Sequence, residues 1–159
     1  MVTLGAFAII FTGQGEVLLS HRVDMDAWNL PGGGVEKGEL PNAAVVREVK
    51  EETDLDVAVE RLVGVYTHTN KDELIFTFLC RIVDGRLQLS NEADRHAYFA
   101  PEQIPVNTIP TQVEQVRDAL LPGVQPIFRR ITAPSIREIL GVEKGRGVGT
   151  RNSAEKEGR

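Results

Sequence analysis

The sequence predicts an α+β sandwich built on a mixed β-sheet. Strand-like segments rich in β-branched and aromatic residues predominate along the chain of 159 residues. One strong helical segment interrupts the strands and a second follows them, an order that indicates an α+β domain. A chain of this length can bury one core without disulfides. Its single cysteine, Cys80, lies in an apolar run where we expect a buried thiol, which fits a reducing, cytoplasmic compartment.

The first half of the chain is predicted to contain strands, a flexible loop and one helix. Leu4–Phe11 and Glu16–Ser20 flank glycines at positions 13 and 15, which predicts a β-hairpin. The next predicted elements are a short strand, a glycine-rich loop and a helix, at Trp28–Leu30, Gly32–Gly38 and Pro41–Thr53. Proline suits the first position of the helix because its missing N–H would have no partner within the helix there.

The second half is predicted to contain further strands and a later helix. Strand-like segments are Val57–Thr67, Leu74–Val83 and Ala97–Phe99, with Arg86–Leu89 as a candidate partner in a second hairpin. Apolar residues at helical spacing predict a helix over Thr111–Leu121. The stretch Pro122–Pro134 stays unassigned, and Ser135–Leu140 predicts one or two helical turns. We expect a domain over residues 1–125 and an extension over 126–159, flexible from about residue 141, where glycines and charges predominate.

The charge distribution restricts the class of partner. The net charge of -5 is uneven, because residues 1–125 are acidic and the remainder is basic. An acidic body argues against a long nucleic acid as the partner, since that requires a basic stripe. It suits a small anionic substrate that is bridged by a cation. We expect no membrane association, because no apolar run approaches the length of a membrane span.

The predicted helix Pro41–Thr53 carries an unusual set of acids. A helical advance of about 100° per residue places Glu48, Glu51 and Glu52 on one face, beside the apolar stripe. Like charges four residues apart destabilise a helix by roughly 0.2–0.5 kcal/mol, and a hard divalent cation such as Mg²⁺ would offset this. By themselves, these acids are more typical of a solvated helix face.

The spacing across the loop and the helix resembles the signature of the Nudix hydrolases, G-x5-E-x7-R-E-U-x-E-E-x-G-U with U aliphatic. The residues that match in register are Gly33, Glu39, Arg47, Glu48, Val49, Glu51, Glu52 and Leu55. The resemblance implies a Nudix-type α/β/α sandwich with a mixed sheet. One position departs from the signature, since Asp54 replaces the last glycine. That glycine usually ends the helix at positive φ, so we expect Asp54 to adopt the left-handed conformation at a modest cost in stability.

The resemblance also implies roles for these residues. Glu48 and Glu52 would bind Mg²⁺, or Mn²⁺ instead, while Glu51 joins them or orients a water. The carbonyl of Gly32 is a further candidate ligand. Arg47 would orient a carboxylate through bidentate hydrogen bonds. The general base is left open between Glu48 and Glu51.

The candidate substrate-binding residues are Arg22, Gly33, Gly34 and Glu39. Glu92 is a candidate distal carboxylate. The expected substrate is a small nucleotide, a nucleoside diphosphate derivative cleaved at its pyrophosphate bond, with nucleoside triphosphates favoured by the short chain. An ADP-ribose or nucleotide-sugar pyrophosphatase is the alternative. A non-catalytic nucleotide-binding module is a third hypothesis, disfavoured because every glutamate of the signature is kept. The oligomeric state is open, a homodimer included.

Overall fold

A computed structural model describes residues 1–141. The strands in this part of the chain are β1 (Thr3–Ile10), β2 (Val17–Arg22), β3 (Trp28–Asn29), β4 (Gly32–Gly34), β5 (Asp56–His68), β6 (Lys71–Asp84), β7 (Ala93–Phe99) and β8 (Ile127–Ile131). Its α-helices are α1 (Pro41–Thr53), α2 (Pro110–Ala119) and α3 (Ile136–Ile139), and a 3₁₀ turn spans Pro101–Gln103. None of the described helices combines the length and the apolar character that a membrane span needs. The flexible tail expected from about residue 141 lies, from residue 142 on, outside the described residues.

The eight described strands form two sheets. The larger sheet has the order β4-β1-β6-β5-β8, in which β1 pairs with β6, and β5 with β8, in parallel. Its other pairs are antiparallel, so the sheet is mixed, as predicted. The smaller sheet has the order β3-β2-β7 and is antiparallel.

The predicted hairpin of the first two strands is wrong. The turn exists, with the Thr12 amide donating to the Glu16 carbonyl at 2.8 Å, but only an isolated bridge between Phe11 and Val17 joins the strands. Beyond that bridge, β1 and β2 belong to different sheets. The reason is that β1 pairs with β4 along one edge and with β6 along the other, which leaves no edge for β2.

Three further assignments change. Gly32–Gly34, predicted as loop, forms β4 and pairs with β1. Arg86–Leu89 is not a strand, because β5 and β6 already form the long hairpin, and the Gln88 amide instead donates to the Thr53 carbonyl at the end of α1. Strand β8 lies in the unassigned stretch and inside the predicted extension.

Two apolar clusters place helices on opposite faces of the larger sheet. Side chains of Val45 and Val49 on α1 pack with Ala8 of β1. The next residue of β1, Ile9, packs with Val116 of α2 and with the smaller sheet. Since successive residues of a strand point to opposite faces, α1 and α2 cover different sides. Cys80 is buried against α1, and this burial raises the pKa of its thiol to about 12, as expected for an inert thiol.

Candidate active site

Strand β4 lies directly against α1, and glycine makes this approach sterically possible. A Cβ on Gly33 would lie 2.6 Å from the carboxyl carbon of Glu48, and one on Gly32 would lie 2.3 Å from the carbonyl oxygen of Ala6. Gly32 also has a φ of 151°, a backbone conformation that favours glycine. The glycines that precede α1 therefore bring the backbone of β4 to the acids of the helix.

Glu52 and Glu48 are the enclosed carboxylates of α1. Glu52 is only 5% exposed, and its Oε2 accepts a hydrogen bond of 3.1 Å from the Gly32 amide. Burial, and secondarily the charges of Glu92 and Glu48, raise the pKa of Glu52 to about 7. Burial also raises the pKa of Glu48, against the opposing effect of Arg47. Two neighbouring acids are thus held where their ionised forms are disfavoured.

Arg47 connects the loop to the acids. It donates to both oxygens of Glu39, from Nε at 2.8 Å and from Nη2 at 2.9 Å, which is a bidentate pair. Its Nη1 reaches Glu48 at 3.0 Å and Glu51 at 3.2 Å, and its Nη2 reaches the Gly34 carbonyl at 3.0 Å. Hydrogen bonding to Arg47 is the main reason that the pKa of Glu39 falls to about 2.

Glu51 diverges from the other two acids. Its side chain is 59% exposed, against 16% for Glu48. Within residues 1–141, no three His, Cys, Asp or Glu side chains are grouped closely enough to hold a metal ion as they are placed. The helical spacing puts three acids on one side of α1, but Arg47 holds Glu48 and Glu51 while the Gly32 amide holds Glu52.

A cleft of about 350 Å³ opens beside Glu52. Its lining residues are Phe7, Arg22, Val23, Asp24, Asn29, Gly32, Gly33, Glu52, Asn91 and Glu92. A smaller pocket of about 180 Å³ shares Glu52, Asn91 and Glu92 with the cleft and includes Glu51. Of the predicted substrate-binding residues, Arg22 and Gly33 line the cleft, whereas Gly34 and Glu39 lie outside it, in contact with Arg47.

Some residues of the cleft were missed by the sequence analysis. Phe7 is an aromatic wall, and its ring lies so close to Gly32 that a Cβ there would be 2.7 Å away. Asn29 carries a buried Oδ1 with no hydrogen-bond partner among the described residues. Asp24 lies two residues after Arg22, and Asn91 directly precedes Glu92. These residues carry no local pattern, because the cleft is assembled from segments far apart in the chain.

The residues fit a hard divalent cation. Glu48 and Glu52 supply oxygen donors of the kind that Mg²⁺ and Mn²⁺ take. Burial, and secondarily the like charges of Glu92 and Glu48, make the ionised form of Glu52 unfavourable, and a nearby cation would oppose that effect. Glu48 and Glu52 would hold the cation. Gly32 lies next to Glu52, and Glu51 lies at the exposed edge of the site.

Comparisons with known proteins agree with this arrangement. The model of the NUDIX domain matches residues 1–122. A putative 8-oxo-dGTP diphosphatase of Bacillus subtilis (strain 168) is 32% identical over 119 residues, covering 74% of this chain and 80% of that protein. A MutT-like protein of Streptomyces ambofaciens is 31% identical over 112 residues, covering 70% of this chain and 73% of that protein.

Solved structures show the same fold. An ADP-ribose pyrophosphatase from Streptococcus suis superposes with a TM-score of 0.68 at 25% identity, covering 81% of this chain and all of that one. A NUDIX hydrolase from Nitrosomonas europaea has a TM-score of 0.70 at 19% identity, covering 82% of this chain and 80% of that one. The fold and site are those of a pyrophosphohydrolase built on the Nudix sandwich, which confirms the predicted fold class. The chain belongs to the Nudix family of hydrolases.

Proposed function

We propose that this protein hydrolyses a pyrophosphate bond in a nucleoside diphosphate derivative, with nucleoside triphosphates as the preferred class and Mg²⁺ as cofactor. The observation that carries the proposal is the cleft in which Glu52 and Glu92 lie with Arg22, beside the glycines of β4. Acidic oxygens for a cation and a guanidinium for a phosphate are combined there. The B. subtilis relative, named for a nucleoside triphosphate, supports this substrate class.

The proposed roles follow from the positions of the side chains. Water attacks one phosphorus, the bond from that phosphorus to the bridging oxygen breaks, and two phosphate-bearing products leave. When bound at Glu48 and Glu52, a divalent cation supplies positive charge that stabilises the phosphoryl oxygens. Arg47 donates hydrogen bonds to both candidate bases, Glu48 and Glu51. It therefore orients whichever of them takes the proton from water.

An ADP-ribose or nucleotide-sugar pyrophosphatase is the second candidate. It is favoured by the ADP-ribose pyrophosphatase from S. suis, whose whole length is covered by this chain. Both candidate activities cleave a pyrophosphate bond with the same acids of the site. They differ only in what the second phosphate carries, so a substrate panel separates them.

The test is turnover across a panel of nucleoside triphosphates, 8-oxo-dGTP, ADP-ribose and UDP-glucose with Mg²⁺. We expect a nucleoside monophosphate among the products, loss of turnover in EDTA, and recovery when Mg²⁺ or Mn²⁺ is added back. Full turnover in metal-free buffer would exclude the cation. Absence of turnover on every pyrophosphate of the panel would exclude the substrate class.

A matched pair of variants checks the role of the buried acid. Glu52→Gln keeps the shape of the side chain and removes an anionic oxygen, so we expect turnover to fall by at least about 100-fold, the size typical for loss of a group that stabilises charge in the transition state. Glu102→Gln makes the same chemical change at an exposed position away from the cleft and should keep wild-type turnover. Equal turnover in the two folded variants would refute the ligand role of Glu52.

A further inference from the structure

Arg22 is the cationic side chain among the residues that line the cleft. It lies beside a register shift in the pairing of β2 with β7, where Asp94 is skipped between the partners of His21 and Arg22. The Arg22 side chain is 32% exposed and lies near Glu52 and Glu92, whose charges contribute to the raised pKa of its guanidinium after the larger effect of Asp24.

Asp24 holds one edge of this guanidinium. The Arg22 Nε donates to Oδ1 at 2.7 Å, and Nη2 donates to Oδ2 at 2.6 Å. An arginine has five N–H donors in a fixed plane. Asp24 uses two of them, and the Arg22 guanidinium has no other hydrogen-bond partner among the described residues. The remaining edge, formed by Nη1 and the second N–H of Nη2, has the fork geometry that binds a phosphate in bidentate fashion.

The loop that carries Asp24 is fixed at several points. The Val23 amide donates to the Glu92 carbonyl at 3.1 Å, and the Arg22 amide donates to the Ala27 carbonyl at 2.9 Å. Asp26 lies 2.8 Å from the buried ring of His21. The loop therefore sets the position of Asp24, and the longer side chain of Arg22 adapts to it.

We propose that Asp24 is a positioning residue that presents the free edge of Arg22 to the phosphates of the substrate. This inference rests on the proposed function, because it assigns Arg22 to the substrate and not only to the wall of the cleft. Asp24 lines the cleft, but in this proposal it acts through Arg22 and not by touching the substrate or the cation. Its effect passes through Arg22, so removing its charge should matter only while Arg22 is present.

The test is a double-mutant cycle with a probe that the enzyme cannot cleave at a P–O–P bond. Methylenediphosphonate is titrated calorimetrically with Mg²⁺ into wild type, Asp24→Asn, Arg22→Ala and the double variant, each checked for an unchanged melting temperature. We expect Asp24→Asn to weaken binding by about 3- to 10-fold, the size of one oriented hydrogen bond of a charged group. Arg22→Ala should weaken it further, and the double variant should equal Arg22→Ala. Asp72→Asn, a matched exposed aspartate outside the cleft, should bind as wild type does.

Kinetics on the best substrate of the panel give the second readout. Asp24→Asn should raise KM by a similar factor and leave kcat within about 2-fold, the pattern of lost uniform binding. Tighter or unchanged binding by Asp24→Asn, or an equal loss in the presence and absence of Arg22, would overturn the proposal. So would a wild type that hydrolyses the panel but does not bind the diphosphonate. Failure of the whole panel instead refutes the proposed function, so the two failures are distinct.

Discussion

At the scale of single residues, the buried carboxylate of Glu52 is placed where its ionised form is unfavourable. It is nine-tenths buried or more, it receives one backbone hydrogen bond, and its neighbours Glu48 and Glu92 carry the same charge. A group whose ionised form is disfavoured in the folded state lowers stability at every pH where it is ionised in the unfolded chain. Such strain at a predicted cation ligand is typical of a site where function takes precedence over stability.

Glu52→Gln should therefore stabilise the protein in metal-free buffer, in a pH-dependent way. Below about pH 4.5, the usual pKa of the carboxyl, Glu52 is protonated in both the folded and the unfolded state, so it does not lower the free energy of unfolding. As the pH rises to about 7, the folded-state pKa, the unfolded chain ionises first and wild type loses stability. The gain of Glu52→Gln at pH 8 should be on the order of 2 kcal/mol. Denaturant melts of both proteins with EDTA at pH 5 and pH 8 measure it, and a difference that does not change with pH would contradict this account.

Asp54 is a second residue whose conformation affects the stability of the fold. It ends α1 with a φ of 63°, the one positive φ among the described non-glycine residues, as the departure from the signature predicts. Its amide donates to the Lys50 carbonyl at 2.9 Å, which closes the helix. Its carboxylate lies 3.3 Å from the Lys50 Nζ, an exposed pair of little weight.

Asp54→Gly should stabilise the protein by about 1 kcal/mol, because glycine adopts this conformation without the steric cost of a Cβ. The gain is reduced by the greater freedom of glycine in the unfolded chain. Asp54→Ala is the matched control, since it removes the same carboxylate but keeps the Cβ, and it should be no more stable than wild type. Thermal melts rank the three proteins. A lower melting temperature of Asp54→Gly together with lost turnover would reveal a functional contact of Asp54.

At the scale of elements, a charged network supports β8 in addition to its pairing with β5. Asp118 on α2 is 7% exposed and receives hydrogen bonds from the Tyr66 hydroxyl at 2.9 Å and from Arg129 at 2.8 and 3.1 Å. Burial and Asp118 together raise the pKa of Tyr66 well above its usual range. The network joins a strand, a helix and the edge of the sheet, so it ties the late part of the chain to the core.

Arg129→Ala should destabilise the protein by about 1–2 kcal/mol, because it leaves Asp118 buried with a single partner. The value is below that of a fully buried pair, since the Arg129 side chain is 44% exposed. The neighbouring Arg130 is exposed, and its side chain has no hydrogen-bond partner among the described residues, so Arg130→Ala should change stability by less than about 0.5 kcal/mol. Equal losses in the two variants, measured by urea denaturation, would show that Asp118 does not depend on Arg129.

At the scale of the whole molecule, the sheet extends past the segment that matches the family. The NUDIX match ends at residue 122, yet β8 at Ile127–Ile131 is the fifth strand of the larger sheet. Ile131 and Ile136 are 3% and 8% exposed. The division at residue 125 remains a prediction, and these contacts show that part of the extension packs on the body.

Two truncations separate this packed part from the remainder. A chain ending at Gln125 loses β8 and α3 and should be less stable by at least about 3 kcal/mol, since two buried isoleucines are lost. A chain ending at Leu140 should keep the melting temperature and turnover of the full protein, because the removed residues offer little to bury. Comparable losses in both, measured by thermal melts and by turnover, would mean that the end of the chain contributes to the fold.

The sequence by itself determined the features that depend on local spacing. The register of Gly33, Arg47, Glu48 and Glu52 requires only helical geometry and a short loop, and it predicts α1 and the family. The positive φ of Asp54 follows from the same register. All of these residues lie within about two dozen positions of one another, so their pattern is visible along the chain.

Only the tertiary structure decided which distant segments meet. It separated β1 from β2, because β1 already pairs on both edges, and it added β8 to the sheet. It brought Arg22 and Asp24 beside Glu52 and placed Glu92 against them, although these residues come from three separate segments. A divergent side chain such as Glu51 was equally hidden, because its direction depends on Arg47. Strand pairing and side-chain direction are chosen by competition among long-range contacts, and no local spacing encodes that choice.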